Sequence, residues 1–324
     1  MSAASPKMSD KKKQITRIFK DNLLIFTIYG VLFLMIIFAS ISSPFFFTTY
    51  NLITVLKQAT ILGILAVGQS ILIISGAIDL SMGSTVTLIS LVVAGIMDSR
   101  EPLVIPMVLF GLFIGTGIGF IHGLLTTKLK LEPFIVTLAT LSIIQGIAYA
   151  YTTVPKGGIT SELSELLYYG QLGPIPLPII YFFSIFILVY LLLKFTKFGR
   201  DIYAIGGDAE VARRSGIKVE KIKIFRYTFV GFLVSIAALI TTGRMGIGDP
   251  LAGQGMEFDA ITASVIGGIS FMGGRGSLIG TLGGVFLLGL INNIMVMSNV
   301  NMYYQMLIKG IIVILAVAIY KQKK

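Results

Sequence analysis

Cysteine and tryptophan are absent from all 324 residues, and histidine occurs once, at His122. Without cysteine there is no disulfide framework and no thiolate metal or redox site, although the absence names no compartment. A single histidine without cysteine lacks the usual ligand set of a metal centre, so His122 reads as a packed residue. Charge is scarce as well: Asp, Glu, Lys and Arg make up 13% of the chain, against 55% hydrophobic residues. A soluble domain of this size cannot cover its surface with so few charges. The chain is therefore polytopic in a membrane, and its 13 tyrosines take over the interfacial anchoring that tryptophan would share. No Gly-x-x-x-x-Gly-Lys-Ser/Thr run occurs, which excludes a P-loop for ATP. No nucleophile–base set or carboxylate pair points to catalysis.

The charge that is present has a direction. The formal net charge is +11, and the cations gather at the tips and loops of apolar segments, the pattern of a lipid bilayer partner and not of a nucleic acid. Lys11, Lys12, Lys13, Arg17 and Lys20 precede the first apolar run, and Lys321, Lys323 and Lys324 close the chain. Both ends are expected in the cytoplasm, which requires an even number of spans. At about 20 apolar residues each, the sequence predicts an all-α transmembrane bundle of about ten spans. They fall near 22–41, 52–75, 83–97, 103–125, 133–151, 178–194, 227–243, 258–273, 277–297 and 304–320. The third, eighth and tenth are short, so eight spans with re-entrant pieces also fit. The expected plan is a cytoplasmic tail 1–21, a membrane domain 22–320 with a cytoplasmic loop 195–226, and a tail 321–324. Leu23–Ile41 is too long for a usual signal-peptide core and reads as an uncleaved anchor, despite a faint cleavage-like Ala39-Ser40. The turn-rich stretch Tyr151–Leu177 and the loop Gly246–Gly255 are expected on the outer face.

The longest polar island runs from Lys194 to Arg226, with nine Lys/Arg and four Asp/Glu. Within it Asp208 follows Gly206-Gly207 as an N-cap, Glu210 lies in the first turn, and Arg213 and Arg214 in the last. Gly216 then supplies the left-handed position past the end. This predicts a short helix, Ala209–Ser215, closed at both ends and able to project into a groove on another protein; a solvated loop helix fits the same pattern. Within the apolar spans, glycines at helical spacing (Gly267-Gly268, Gly273-Gly274, Gly280, Gly283-Gly284, and Gly111, Gly115, Gly119) predict close helix packing. Asp79, between Gly76 and Gly83, reads as a gate, as a cap for Ser81–Ser84, or as an ion-coupling carboxylate. Glu257 and Asp259 read as caps at the outer start of a span. Gln69, Ser75, Ser81, Gln145, Thr262, Ser264, Asn292 and Asn293 either line a path or make interhelical hydrogen bonds.

Four blocks together carry a resemblance. They are Ile74–Ser84 (ISGAIDLSMGS), Glu132–Leu138 (EPFIVTL), Gly199–Asp208 with Ser215-Gly216-Ile217, and Gly267–Ser277 (GGISFMGGRGS) followed by Asn292-Asn293. In order and spacing, from about residue 50 onward, the chain resembles the ribose-type ABC importer permeases. The resemblance implies an inner-membrane subunit that moves a monosaccharide, a ribose-like pentose or related small sugar, and catalyses no covalent chemistry. It implies a second permease copy or paralogue, an extracytoplasmic sugar-binding protein, and a cytoplasmic ABC ATPase that holds ATP and Mg, with no cofactor on this chain. Contact with the ATPase then falls to Gly199, Arg200, Tyr203, Ala204, Gly207, Asp208, Glu210, Ala212, Arg213, Ser215 and Gly216. The general importer pattern E-A-A-x-x-x-G is met only in part, by Glu210-Val211-Ala212 and Gly216. The residues leave one other reading open, a stand-alone ion-coupled transporter of a small polar solute, resting on Asp79 beside glycine-broken segments.

Overall fold

The computed structural model describes residues 23–321. The basic N-terminal tail and residues 322–324, which carry the expected placement of both ends, lie outside the described residues. The chain is all-α, apart from a two-strand hairpin, β1 (Gln171–Leu172) with β2 (Ile175–Pro176). The principal helices are α1 (Leu23–Ser42), α2 (Thr49–Ile74), α3 (Met82–Met97), α4 (Val104–Lys128) and α5 (Pro133–Tyr151). After a turn of helix α6 (Ser161–Ser164) come α7 (Leu177–Phe195), α8 (Lys197–Gly207), α9 (Ala209–Arg214) and α10 (Val219–Met245). The chain ends with α11 (Met256–Ile266), α12 (Leu278–Met297) and α13 (Met302–Lys321).

Local chemistry sets several of these ends. Thr48 accepts the Asn51 N–H to open α2, and Ser277 accepts the Ile279 N–H to open α12. Pro133 occupies the first position of α5, where its missing N–H costs nothing. Among the described residues, seven helices are long and apolar enough to cross a membrane, so the polytopic reading stands. They include every expected span except the third, eighth and tenth. Burial separates centre from rim: 83% of the apolar window of α2 and 67% of that of α10 is buried, against 17% for α4 and 11% for α1. Ile64, Leu72, Val86, Ile89, Val230 and Ala237 form the core that α2, α3 and α10 share.

The structure corrects two expectations. The span expected at 258–273 is a helix that stops at Ile266, because Gly267 and Gly268 end it and Gly273, Gly274 and Gly276 take positive φ. The loop Gly246–Gly255 does not simply cap an outer face. It pairs with Lys156 through Gly248, then runs down α3, past Leu91, to Gly83. A Cβ on Gly253 would strike the Gly83 carbonyl, so only glycine permits that approach. As a result α3 and α11 meet at their N-terminal ends and run apart, and Glu257, expected at an outer boundary, is 6% exposed with Oε2 beside Gly83.

Glycine also sets the tightest helix crossing. A Cβ on Gly119 would overlap the Tyr227 carbonyl, and one on Gly231 the Gly115 carbonyl, so α4 and α10 touch backbone to backbone. Gly117, on the same helix, has nothing within 4 Å of its Cβ position. Gly231→Leu should therefore force the helices apart and destabilise the protein by at least ~1–3 kcal/mol, while Gly117→Leu leaves thermal stability in detergent unchanged. Equal melting temperatures for the two variants would contradict this packing.

Candidate coupling site

The polar island folds as two helices, not one. A tight reversal joins α7 to α8, and Gly199 is required there because a Cβ would overlap the Leu193 carbonyl. Thr196 caps α8 by accepting the Gly199 N–H. Asp208 then closes one helix and opens the next: its Oδ1 accepts from the N–H groups of Glu210 and Val211, at 2.8 and 3.0 Å. Those bonds hold the Asp208 carboxyl below its ordinary value of 3.8. The predicted helix appears as α9, one residue shorter, with Ser215 as its C-cap and Gly216 left-handed at φ 83°. Glu210 pairs with Arg213 and Arg214 at 3.4 and 3.3 Å along the helix.

These helices do not stand away from the bundle. Ala212 is buried with Ile205 and Val219, a small core that fastens α9 to α8 and to the start of α10. Ile202 is fully buried. At the end of α8, a Cβ on Gly206 would overlap the Ile74 carbonyl and approach the Gly274 nitrogen to 2.6 Å. The Gly274 N–H donates to that same Ile74 carbonyl at 2.7 Å. Tyr203 donates its hydroxyl to the Gly276 carbonyl at 3.0 Å, and burial pushes its phenol up. So α8 is seated on two breaks at once, the one after α2 and the one between α11 and α12. Arg200, Ala204, Gly207, Asp208, Glu210, Arg213, Ser215 and Gly216 remain exposed, whereas Gly199 and Ala212 are buried.

Of the candidates within the bundle, Ser75, Asp79 and Ser81 cluster at the first break. Asp79 Oδ1 accepts from both the N–H and the hydroxyl of Ser81, at 2.7 Å each. Its Oδ2 lies 3.6 Å from Nδ1 of His122, whose Nε2 is 2.8 Å from the Thr140 hydroxyl. Asp79 therefore holds Ser81, the residue before α3, and makes no side-chain cap bond to the helix itself. The partner His122 was not legible, because 43 positions separate it from Asp79. The Ser75 hydroxyl bonds back to Ile71 and Leu72, and its carbonyl accepts from Arg226 Nη1. Asn293 is taken up by a reciprocal amide pair with Asn51, which locks α12 to α2. Ser264 joins Ser70 and, through it, Thr281, while Gln145 donates to the Pro250 carbonyl. Asn292 lines a separate cavity of about 150 Å³ with Arg244 and Asp259. Gln69 is fully buried, and neither of its amide atoms has a hydrogen-bond partner in the structure.

Residues 51–317 match the family described as "Branched-chain amino acid transport system / permease component". The ribose import permease of Bacillus subtilis strain 168 is 40% identical over 90% of this chain and 91% of its own length. That of Escherichia coli K12 is 36% identical over 90% and 92%. The D-allose permease of the same organism is 31% identical over 90% of each chain. The chain belongs to the ribose-type ABC permeases. No solved structure matches it. The permease is a multi-pass inner-membrane protein, and its relatives are transport subunits. Membership of this family implies, in general terms, an ATPase and a substrate-binding protein as partners.

In the permease, Gly206→Val drives a side chain into the Ile74 carbonyl and should lower solute uptake about tenfold or more, an overpacking cost of ~1–3 kcal/mol. Gly117→Ala, whose methyl meets nothing within 4 Å, should retain uptake. Uptake by the Gly206→Val variant equal to wild type would show that the seat is not needed. The Asp208 cap carries its own pH signature. Its carboxyl is depressed in the fold, so the stability it adds is complete above its unfolded value near 4 and is lost as pH falls through the lowered one. Asp208→Ala should lower the melting temperature, by the same amount at pH 6 as at pH 8, read by thermal unfolding.

Proposed function

We propose that this chain is the membrane-spanning subunit of an ABC importer for a monosaccharide, working by alternating access driven by ATP hydrolysis on a partner. The observation that carries the reading is the seat of α8 on both broken segments. A cytoplasmic ATPase that opens and closes would move α8 and α9 as one piece, since Ala212, Ile205 and Val219 fasten them together. Because Gly206 touches Ile74 and Gly274 directly, that motion is delivered to both breaks without a compressible side chain between. Two arrangements of the bundle are then selected by which one the ATPase contacts favour. In this reading α8 and α9 face the cytoplasm, both chain ends lie on that side, and the count is ten spans including the short α3 and α11. ATP and Mg stay on the ATPase, and the permease binds no cofactor.

The sugar reading follows the ribose, allose and galactoside permeases among the relatives. The partners proposed are one ABC ATPase, an extracytoplasmic sugar-binding protein, and a second permease, either a copy or a paralogue. The exposed positions from Arg200 to Gly216 form the face offered to the ATPase. Val211, 58% exposed between the paired Glu210 and the buried Ala212, lies at its centre. A stand-alone ion-coupled transporter is the second reading, favoured by the buried Asp79–His122 contact.

A mild-detergent pull-down of the tagged chain, with every stoichiometric partner identified, separates them. The importer reading expects an ATPase and a second permease, with the ATPase lost in Val211→Glu and kept in Gly117→Ala. A chain that is captured alone and, once reconstituted, transports in response to a proton or sodium gradient would replace it with the second reading.

A further inference from the structure

Beside α9 lies a cavity of about 380 Å³, within the ~300–1,000 Å³ range of small-molecule sites. Its wall brings together Arg213 of α9, Lys223 and Arg226 of α10, and Lys130 of the α4–α5 turn, facing Glu132 and Glu220. Lys128 lies 3.6 Å from Glu220 and engages it from outside the cavity, which leaves four cations against Glu132. Three separate parts of the chain contribute these cations.

Arg226 is the decisive residue. Its side chain is 1% exposed, yet among the described residues no carboxylate pairs with it. Nη1 donates to the Ser75 carbonyl, and the guanidinium carbon sits 5.4 Å from the centroid of the Tyr227 ring. Its Nε is buried without a hydrogen-bond partner. A charge taken out of water with neither counter-ion nor full hydrogen bonding is strongly destabilising. The cavity that Arg226 lines is where an anion fits. Guanidinium and ammonium donors converging from several directions suit the oxygens of a phosphate better than a single planar carboxylate.

We propose that this cavity binds a phosphate group, presented either by a small phosphorylated solute or by the headgroup of an anionic lipid. Bound there, the phosphate neutralises Arg226 and bridges it to Arg213, joining the break after α2 to the coupling helix. The site is then a control point: occupancy holds the coupling helix against the break. The cavity and the buried guanidinium stand apart from the importer reading; only a cytoplasmic origin for the solute rests on the orientation that reading gives.

The test uses the full-length protein in nanodiscs of phosphatidylcholine alone, with thermal unfolding followed at constant ionic strength against inorganic phosphate and a phosphorylated pentose. A saturable rise in melting temperature is expected with both, and none with the unphosphorylated pentose. Lys223→Gln and Lys130→Gln should each weaken the apparent affinity about tenfold, with helix content unchanged by circular dichroism. If lipid is the source, phosphatidylglycerol in the nanodisc raises the melting temperature of wild type but not of the variants, and free phosphate adds nothing further. No response to any phosphate source, or the same response in wild type and both variants, overturns the proposal. A cavity silent to phosphate whose two lysine variants lose the ATPase in the pull-down also overturns it, by assigning the cations to an acidic partner chain.

Discussion

Three backbones touch at one point in this protein with no side chain between them. Gly206 at the end of α8 lies against the Ile74 carbonyl and the Gly274 nitrogen, and Gly274 donates to that same carbonyl. A carbonyl at the end of a helix otherwise needs water or a cap; here it is met by a segment about 200 residues away in sequence. The coupling proposed for the molecule depends on this contact. It places the polar island under the bundle and not beside it, and it gives that island a hold on both discontinuous segments. Tyr203 and Arg226 reinforce the seat from either side, one bonding Gly276 and the other Ser75.

The two breaks serve a common geometry. After its break, α3 starts at Met82 beside Asp79; before its own, α11 starts at Met256 beside Glu257. The N-terminal ends of the two helices face each other across Gly83 and Gly253, so their partial positive charges converge where the Glu257 carboxylate is buried. α3 shares the core with α2 and α10, whereas α11 is a short helix between the descending loop and the second break. α8 thus meets the end of a core helix at one break and the Gly267–Gly276 segment at the other.

Much of this was legible in the sequence, and the physical reasons for the rest are specific. Long apolar runs declared α1, α2, α4, α5, α7, α10 and α12, since hydrocarbon leaves few alternatives to helix. Asp208, Glu210, Arg213 and Gly216 declared α9 because capping is a matter of neighbours only a few residues apart. α8 carries a local cap in Thr196, but what it packs against, Ile74 and Gly274, lies far from it in sequence. Ala212 matched a family pattern by position, yet its side chain serves the joint between α8 and α10. Residue type alone could not assign Asn293 to its amide pair with Asn51, nor bring His122 to Asp79, because each pairing depends on how distant helices cross. The loop Gly246–Gly255 read as an outer connector because its glycines suit turns, as Gly246 and Gly255 do at positive φ; only the contacts of Gly248 with Leu91 and Gly253 with Gly83 show that the other two serve close packing.

The central claim is that α8 and α9 move together with the two breaks, and the absence of native cysteine makes it directly measurable. Spin labels placed by Lys197→Cys and Met272→Cys sit on exposed positions of α8 and the second break, clear of the Arg200–Gly216 face; a third, by Leu251→Cys, sits on the exposed loop beyond α10. Pulsed electron spin resonance on the assembled transporter, with and without bound nucleotide, then reports pairwise distances. The account predicts that the 197–272 distance stays constant while the 197–251 distance changes. A 197–272 distance that changes with nucleotide while the 272–251 distance stays fixed would mean that the coupling helices slide past the breaks, and would contradict it.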